Sequence, residues 1–273
     1  MLPAKSTGCE SHMKACFITG AASGIGLATA KRFAAEGYFV GLSDVDEDAL
    51  AKAAEGFDPD KVLAVRLDVR NEAAWGLALA RFGKASGGRL DVMVNNAGLA
   101  RYGWFDTQTS ADWDLQIDVN LRGVIYGSYA ALPLLKATKD AVLVNIASSA
   151  GLSGPPRLAV YGATKFAVRG LSEALDLEYS RFGVRVVCIM PGYIDTPLLD
   201  STASAEGQVF RSAIEEAQSV PGSVEDVTKV IWDSISSPHL HHGVGAHAES
   251  QTQGLRPAVE AMRAYWKGVF AKT

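Results

Sequence analysis

The chain has 273 residues, 48% of them hydrophobic, and a formal net charge of −4. That length holds one large domain or two small ones, with enough apolar material for a substantial core. The acidic balance and the lack of a basic stripe argue against a nucleic-acid partner, and the longest apolar runs, such as 184–190, are far too short to span a bilayer.

Met1 is followed by no apolar signal-peptide core. Residues 1–10 lack periodicity, and Ser11-His12-Met13 resembles a cloning scar. Residues 1–12 are therefore expected to be a tag or a disordered extension, and 13–273 one domain. The first predicted strand, 14–19, is short and apolar. It runs into Thr19-Gly20-Ala21-Ala22-Ser23-Gly24-Ile25-Gly26, and a helical pattern covers 24–36. Glycines let a backbone turn tightly and approach a ligand closely. A helix N-terminus offers free N–H groups and a positive dipole end to a pyrophosphate. The spacing is TGxxxGxG rather than GxGxxG, and no Gly-Lys-Ser/Thr follows, which disfavours a nucleoside-triphosphate loop.

The second strand, 38–43, closes on Asp44, 18 residues after Gly26. That is near the spacing of an acid that hydrogen-bonds an adenosine ribose. A carboxylate there would repel a 2′-phosphate, and Ser23 and Val45 stand where an NADP site would prefer a basic residue, so NAD is favoured over NADP. A helix-capping role fits Asp46 better than Asp44. A helix at 46–55 leads to a third strand, 62–67, that ends in Asp68-Val69. Asp68 as a cap for the next helix, 71–86, stays open. The fourth strand, 90–95, ends in Asn95-Asn96-Ala97-Gly98, where small residues would let a ligand lie against the backbone.

A long helix, 110–137, contains Asn120. The fifth strand, 141–146, leads to Ser148-Ser149, and the helix 160–182 opens with Tyr161 and Lys165. Tyrosine is a poor base at neutral pH, with an ordinary pKa of about 10. A lysine four residues on shares its helix face, and a nearby ammonium favours the phenolate. Such a phenol can give a proton to an alkoxide or take one from an alcohol. The sixth strand, 184–190, ends at Pro191-Gly192. A helix is expected at 223–237, a weak seventh strand within 243–247, and a helical tail over 257–270 with Trp266 and Phe270 on one face. The His-rich stretch 238–247 reads as a surface loop, and no metal is expected.

Strands alternating with helices predict an α/β, doubly wound parallel sheet with helices on both faces. The strands are near-continuous apolar runs, as expected when both faces are covered. In such a sheet the ligand crevice lies beyond the carboxyl ends of the strands, and the glycine turn, Asp44, Asp68, Asn95–Gly98, Ser148 and Pro191-Gly192 all fall there.

These motifs, in this order, resemble the single-domain form of the short-chain dehydrogenase/reductase family, over about residues 14–196. The resemblance implies a Rossmann-type fold and hydride transfer between NAD(H) and an alcohol or ketone. It implies a catalytic tetrad. Tyr161 would be the acid/base, and Lys165 would lower its pKa and reach the nicotinamide ribose. The oxidised nicotinamide's charge would lower that pKa further. Ser148 would orient the substrate oxygen, and Asn120 would hold a water linking Lys165 to solvent; a helix-bending asparagine bonded to backbone is the other reading of Asn120. Cofactor contacts would come from Gly20, Ser23, Gly24, Ile25, Gly26, Asp44, Asp68, Val69, Asn96, Ala97, Gly98, Tyr161, Lys165, Pro191, Gly192, Ile194 and Thr196. Asn95 would be more structural.

The substrate pocket is expected from 99–104, 149–156, Tyr193 and 198–220, with a lid near 197–220. Leu99, Leu152, Pro155 and Tyr193 favour a small to medium, largely apolar substrate, while Arg101 and Arg157 leave room for an acidic one. Cys9, Cys16 and Cys188 show no metal or redox spacing, Cys16 and Cys188 are expected to be buried and reduced, and a cytoplasmic location follows. A homodimer or homotetramer is expected, with a dimer through the two long helices. The alternative is a dinucleotide-binding sensor or scaffold without catalysis. Such proteins often lose tyrosine, lysine or serine, and this chain keeps them.

Overall fold

In the computed structural model, residues 13–200, 209–216 and 218–270 are described. The expectations for 1–12, and part of the expected lid, lie outside them. Seven parallel strands form one sheet in the order β3-β2-β1-β4-β5-β6-β7. These are β1 (Ala15–Thr19), β2 (Phe39–Asp44), β3 (Val62–Arg66), β4 (Val92–Asn95), β5 (Val142–Ile146), β6 (Arg185–Pro191) and β7 (His241–Val244). The sheet is wound both ways from β1, so its switch point lies between β1 and β4.

One face is covered by α1 (Gly24–Ala35), α2 (Glu47–Ala54) and α9 (Val224–Ser234), around a core with Phe33, Leu42, Val144 and Ile231. The other is covered by α3 (Glu72–Ala85), α5 (Gly123–Ala137) and α6 (Ala159–Ser180), around Phe17, Trp75, Phe82, Met93 and Leu143. Both faces of each central strand are thus dry, which is why β1, β4 and β5 are fully buried. The remaining helices are α4 (Ser110–Ile117), α7 (Pro197–Asp200), α8 (Phe210–Glu216) and α10 (Ala246–Phe270). No helix among the described residues is long and apolar enough to cross a membrane.

The structure departs from the predicted elements at four points. The predicted helix 110–137 is two helices joined by a π-helical turn, Asp118–Arg122, with Asn120 at its centre. Asn120 bonds the Leu99 backbone at both ends of its amide, 2.9 Å from the Leu99 amide and 2.8 Å from its carbonyl. That tether accompanies the wider turn, as π-bulges often do at functional sites. The His-rich stretch is not a surface loop. His241 and His242 lie in β7, and His241 is buried beside Glu173 of α6. The strand therefore begins two residues before the expected window, and the terminal helix starts at Ala246 instead of Pro257. Cys16 and Cys188 are buried free thiols in β1 and β6.

Candidate active site

A cleft of about 1190 Å³ runs along the carboxyl edge of the sheet. At its floor the glycine turn packs β1 against α1. Gly20 and Gly24 adopt left-handed backbone, φ 64° and 51°, which side chains resist. A Cβ on Gly26 would lie 2.1 Å from the Gly20 carbonyl oxygen, so only glycine lets α1 start this close to the turn. The Asn96 amide braces the same turn, donating to the carbonyls of Thr19 at 2.8 Å and Gly20 at 3.2 Å. Thr19 Oγ1 accepts from the amides of Asn96 and Ala97, at 3.0 and 2.9 Å. Thr19 was within the motif yet not singled out as a site residue; a hydroxyl at a strand end beside a polar loop was the available signal.

Asp44 ends β2 with one carboxylate oxygen accepting from the Ala22 amide at 3.1 Å and the other from the Asp46 amide at 3.2 Å. Asp46, not Asp44, caps α2. Asp68 does not cap α3 either; Asn71 does. Asp68 is instead gripped by Arg70 at 2.6 Å, and the Arg70 hydrogen bonds hold its carboxyl below the usual range against the opposing effect of partial burial. Gly20, Ser23, Gly24, Ile25, Asp44, Asp68, Val69, Asn96, Ala97, Gly98, Pro191, Gly192, Ile194 and Thr196 all line the cleft. Gly26 and Asn120 do not. They stand behind it, Gly26 under Gly20 and Asn120 with its Oδ1 3.3 Å from where a Gly98 Cβ would be. Asn95 bonds Asn145 of the neighbouring β5 and Ser128 of α5.

Ser148, Tyr161 and Lys165 line the same cleft. Ser148 follows β5 and caps the short 3₁₀ turn Ser149–Gly151, its Oγ accepting from the Ala150 amide at 3.1 Å. Its hydroxyl can donate to the Pro191 carbonyl at 3.4 Å or to the Tyr161 phenol oxygen. Lys165 Nζ lies 5.6 Å from the centre of the Tyr161 ring and donates to the Ile146 carbonyl at 3.0 Å. Burial lowers the Lys165 pKa to about 8. The Tyr161 phenol runs against expectation: its pKa is raised, because burial outweighs the Ser148 hydrogen bond. Lys165 is turned toward the Ile146 carbonyl and is not among the groups that shift it.

On the substrate side, Leu99, Ser149, Ser153, Pro155, Tyr193 and Phe210 line the cleft. Phe210 of α8 stacks on Tyr102 at 4.9 Å and meets the Tyr193 ring edge-on at 5.6 Å. Leu152 does not line it; it packs into a cluster with Val168 and Met190. Among the described residues, Arg101 and Arg157 are also outside the lining: Arg101 pairs with Asp112 at 3.3 Å, and Arg157 lies 4.5 Å over the Trp104 ring. Of the expected lid, α7 and α8 are joined by Arg211, which pairs with Asp195 at 2.9 Å and with Asp200.

The switch point, the glycine cradle and the long cleft define a dinucleotide-binding protein of the doubly wound class. The short chain dehydrogenase family model matches residues 14–207. "Oxidoreductase UcpA" of Salmonella typhimurium is 38% identical over 70% of this chain and 73% of its own length. The "3-alpha-(or 20-beta)-hydroxysteroid dehydrogenase" of Mycobacterium bovis is 37% identical over 75% of this chain and 76% of its own. Among solved structures, a short chain dehydrogenase/reductase from Burkholderia phymatum in complex with NAD superposes with a TM-score of 0.76 at 28% identity, covering 92% of this chain and 93% of that one. The chain belongs to the short-chain dehydrogenase/reductase family, and is an oxidoreductase of that family with a nucleotide-binding Rossmann fold.

Proposed function

We propose that this protein is an NAD-dependent dehydrogenase that interconverts a largely apolar secondary alcohol and its ketone. The observation that carries this reading is the meeting of Ser148, Tyr161 and Lys165 in the cleft that the glycine cradle opens onto. The cradle fits a dinucleotide, because Gly20 and Gly26 let the turn close against Ala97 and let α1 start directly behind it, which brings a helix N-terminus to the cleft. Bound NAD would supply the hydride acceptor. The chain's own residues bind, orient and move the proton. Ser148 Oγ fixes the substrate oxygen beside the Tyr161 phenol. Tyr161 takes the alcohol proton during oxidation and returns it during reduction. Lys165 holds the ribose. The Asn120 amide is engaged with Leu99, so a water relay at this residue would run through its main chain.

The apolar wall of Leu99, Pro155, Tyr193 and Phe210 supports an apolar substrate, and the outward pairing of Arg101 weighs against an acidic one. The hydroxysteroid relative's printed name agrees with a bulky apolar alcohol. We infer pairing of two copies through α5 and α6, where Ile125, Tyr129 and Phe166 are exposed, with Phe182 exposed just past the end of α6. The cytoplasm fits the buried free thiols.

Asp44 supports NAD over NADP. Its carboxylate sits at the end of β2, bonded to the Ala22 amide of the glycine turn, with Val45 exposed beside it. A 2′-phosphate there would meet a negative charge. In a panel of secondary alcohols that includes cyclohexanol, 2-octanol and 1-phenylethanol, absorbance should report NADH but little NADPH. Asp44→Ala combined with Val45→Arg should narrow the preference by about 10-fold or more, or about 1.4 kcal/mol. Equal wild-type use of both dinucleotides would remove Asp44 from this role.

A further inference from the structure

The side of α6 that carries Tyr161 and Lys165 continues past them. Arg169 and Glu173 follow at the same four-residue interval, so all four climb one side of the helix turn by turn. Arg169 donates from Nη1 to the Gly151 carbonyl at 3.0 Å. Its Nε lies 3.3 Å from Glu173 Oε1, and its guanidinium sits 5.3 Å from the centre of the Phe166 ring. Glu173 Oε1 stands 3.2 Å from Nε2 of His241, which is 3% exposed in β7. Burial pushes the Glu173 carboxyl up, but His241 and Arg169 close beside it prevail and hold it below its ordinary value.

Gly151 ends the short turn that follows Ser148. Its amide donates to the Ser148 carbonyl at 2.9 Å. A Cβ on Gly151 would lie 2.7 Å from the Lys165 carbonyl oxygen, so the turn rests directly on α6. Arg169 thus reaches Ser148 through a single residue. A guanidinium suits this place because its fork can donate to a carbonyl and face a carboxylate at once.

We propose that Arg169, held by Glu173 and His241, is a positioning residue that fixes the Gly151 carbonyl and so sets the Ser148 hydroxyl in register with Tyr161. This rests on the reading of Ser148 given above. A residue that merely staples the turn to α6 would affect stability without acting through the Ser148 hydroxyl, and the two roles separate in a double-mutant cycle.

The cycle uses NAD and whichever panel alcohol the wild type oxidises fastest, with thermal melting and NAD affinity measured on every variant. Arg169→Met should lower kcat roughly 10-fold or more, since a misplacement of about 1 Å can cost about 10²-fold. NAD affinity should stay unchanged. In a Ser148→Ala background the same substitution should lower kcat no further. Arg169→Lys, which keeps a donor for Gly151, should recover part of the loss. If Arg169→Met does not fold, Arg169→Lys and Glu173→Gln enter the same cycle. The proposal is overturned if these variants keep wild-type kcat, or if they lose as much without the Ser148 hydroxyl as with it. A Ser148→Ala protein with wild-type turnover would instead remove Ser148 from catalysis, a separate failure that the single variant detects.

Discussion

Tyr161→Phe should cut turnover by at least about 10²-fold, the lower end of what a positioned acid/base contributes. NAD affinity should hardly change. The ring keeps its place against the cluster that holds Leu158, Leu199 and Phe210, and only the transferable proton is lost. The wild-type pH profile belongs to the same prediction. Alcohol oxidation needs the phenolate, and burial raises the Tyr161 pKa above its ordinary value of about 10. Oxidation should therefore rise with pH into the alkaline range, and ketone reduction, which needs the protonated phenol, should fall. Burial lowers the Lys165 pKa to about 8, so this side chain is largely neutral where the phenol titrates, and Lys165→Met should act mainly by weakening NAD binding and leave the position of the oxidation limb nearly unchanged. A Tyr161→Phe protein with wild-type turnover, or an oxidation rate flat from neutral to strongly alkaline pH when chemistry is rate-limiting, would move the proton transfer to another group.

Gly26→Ala should weaken NAD binding by at least about 10-fold, or about 1.4 kcal/mol. Its Cβ would sit 2.1 Å from the Gly20 carbonyl oxygen and 2.7 Å from the Asn96 amide nitrogen. Those are backbone and a braced side chain, neither free to yield. Either α1 retreats from the turn or the turn itself moves, and both displace the helix N–H groups that would meet a pyrophosphate. Overpacking of this kind also costs about 1–3 kcal/mol of stability. Gly76→Ala is the control. That glycine lies in α3 with nothing within 4 Å of a Cβ, so the change should be neutral or slightly stabilising. Isothermal titration with NAD and thermal melting of both variants check the pair. Wild-type affinity in Gly26→Ala would mean the cradle does not hold the dinucleotide.

What was legible in the sequence is what local pattern encodes. The apolar runs of β1, β4 and β5 announce strands dry on both faces. The glycine turn, Asp44 and the Tyr161/Lys165 pair are set by spacing within one element or across one turn. What escaped depends on partners far along the chain. The break in the helix at Asn120 accompanies its bonds to Leu99, a contact across 21 residues that helical periodicity does not register. His241 looks like a loop residue because its side chain is polar; it is buried because Glu173, on another element, pairs with it. The raised Tyr161 pKa escaped for the same reason. An i, i+4 lysine was expected to lower it, but the ammonium is drawn to the Ile146 carbonyl while burial acts on the phenol unopposed by that charge.

The central claim is direct hydride transfer between an alcohol and a nicotinamide in this cleft. The most direct measurement supplies the protein with NAD and a panel of secondary alcohols deuterated at the carbinol carbon, then analyses the dinucleotide by mass spectrometry and NMR. The predicted result is reduced dinucleotide carrying one deuterium at C4 of the nicotinamide, formed by wild type and not by Tyr161→Phe. Dinucleotide that binds but is never reduced by any alcohol in the panel, or that is reduced without carrying the label, would contradict it.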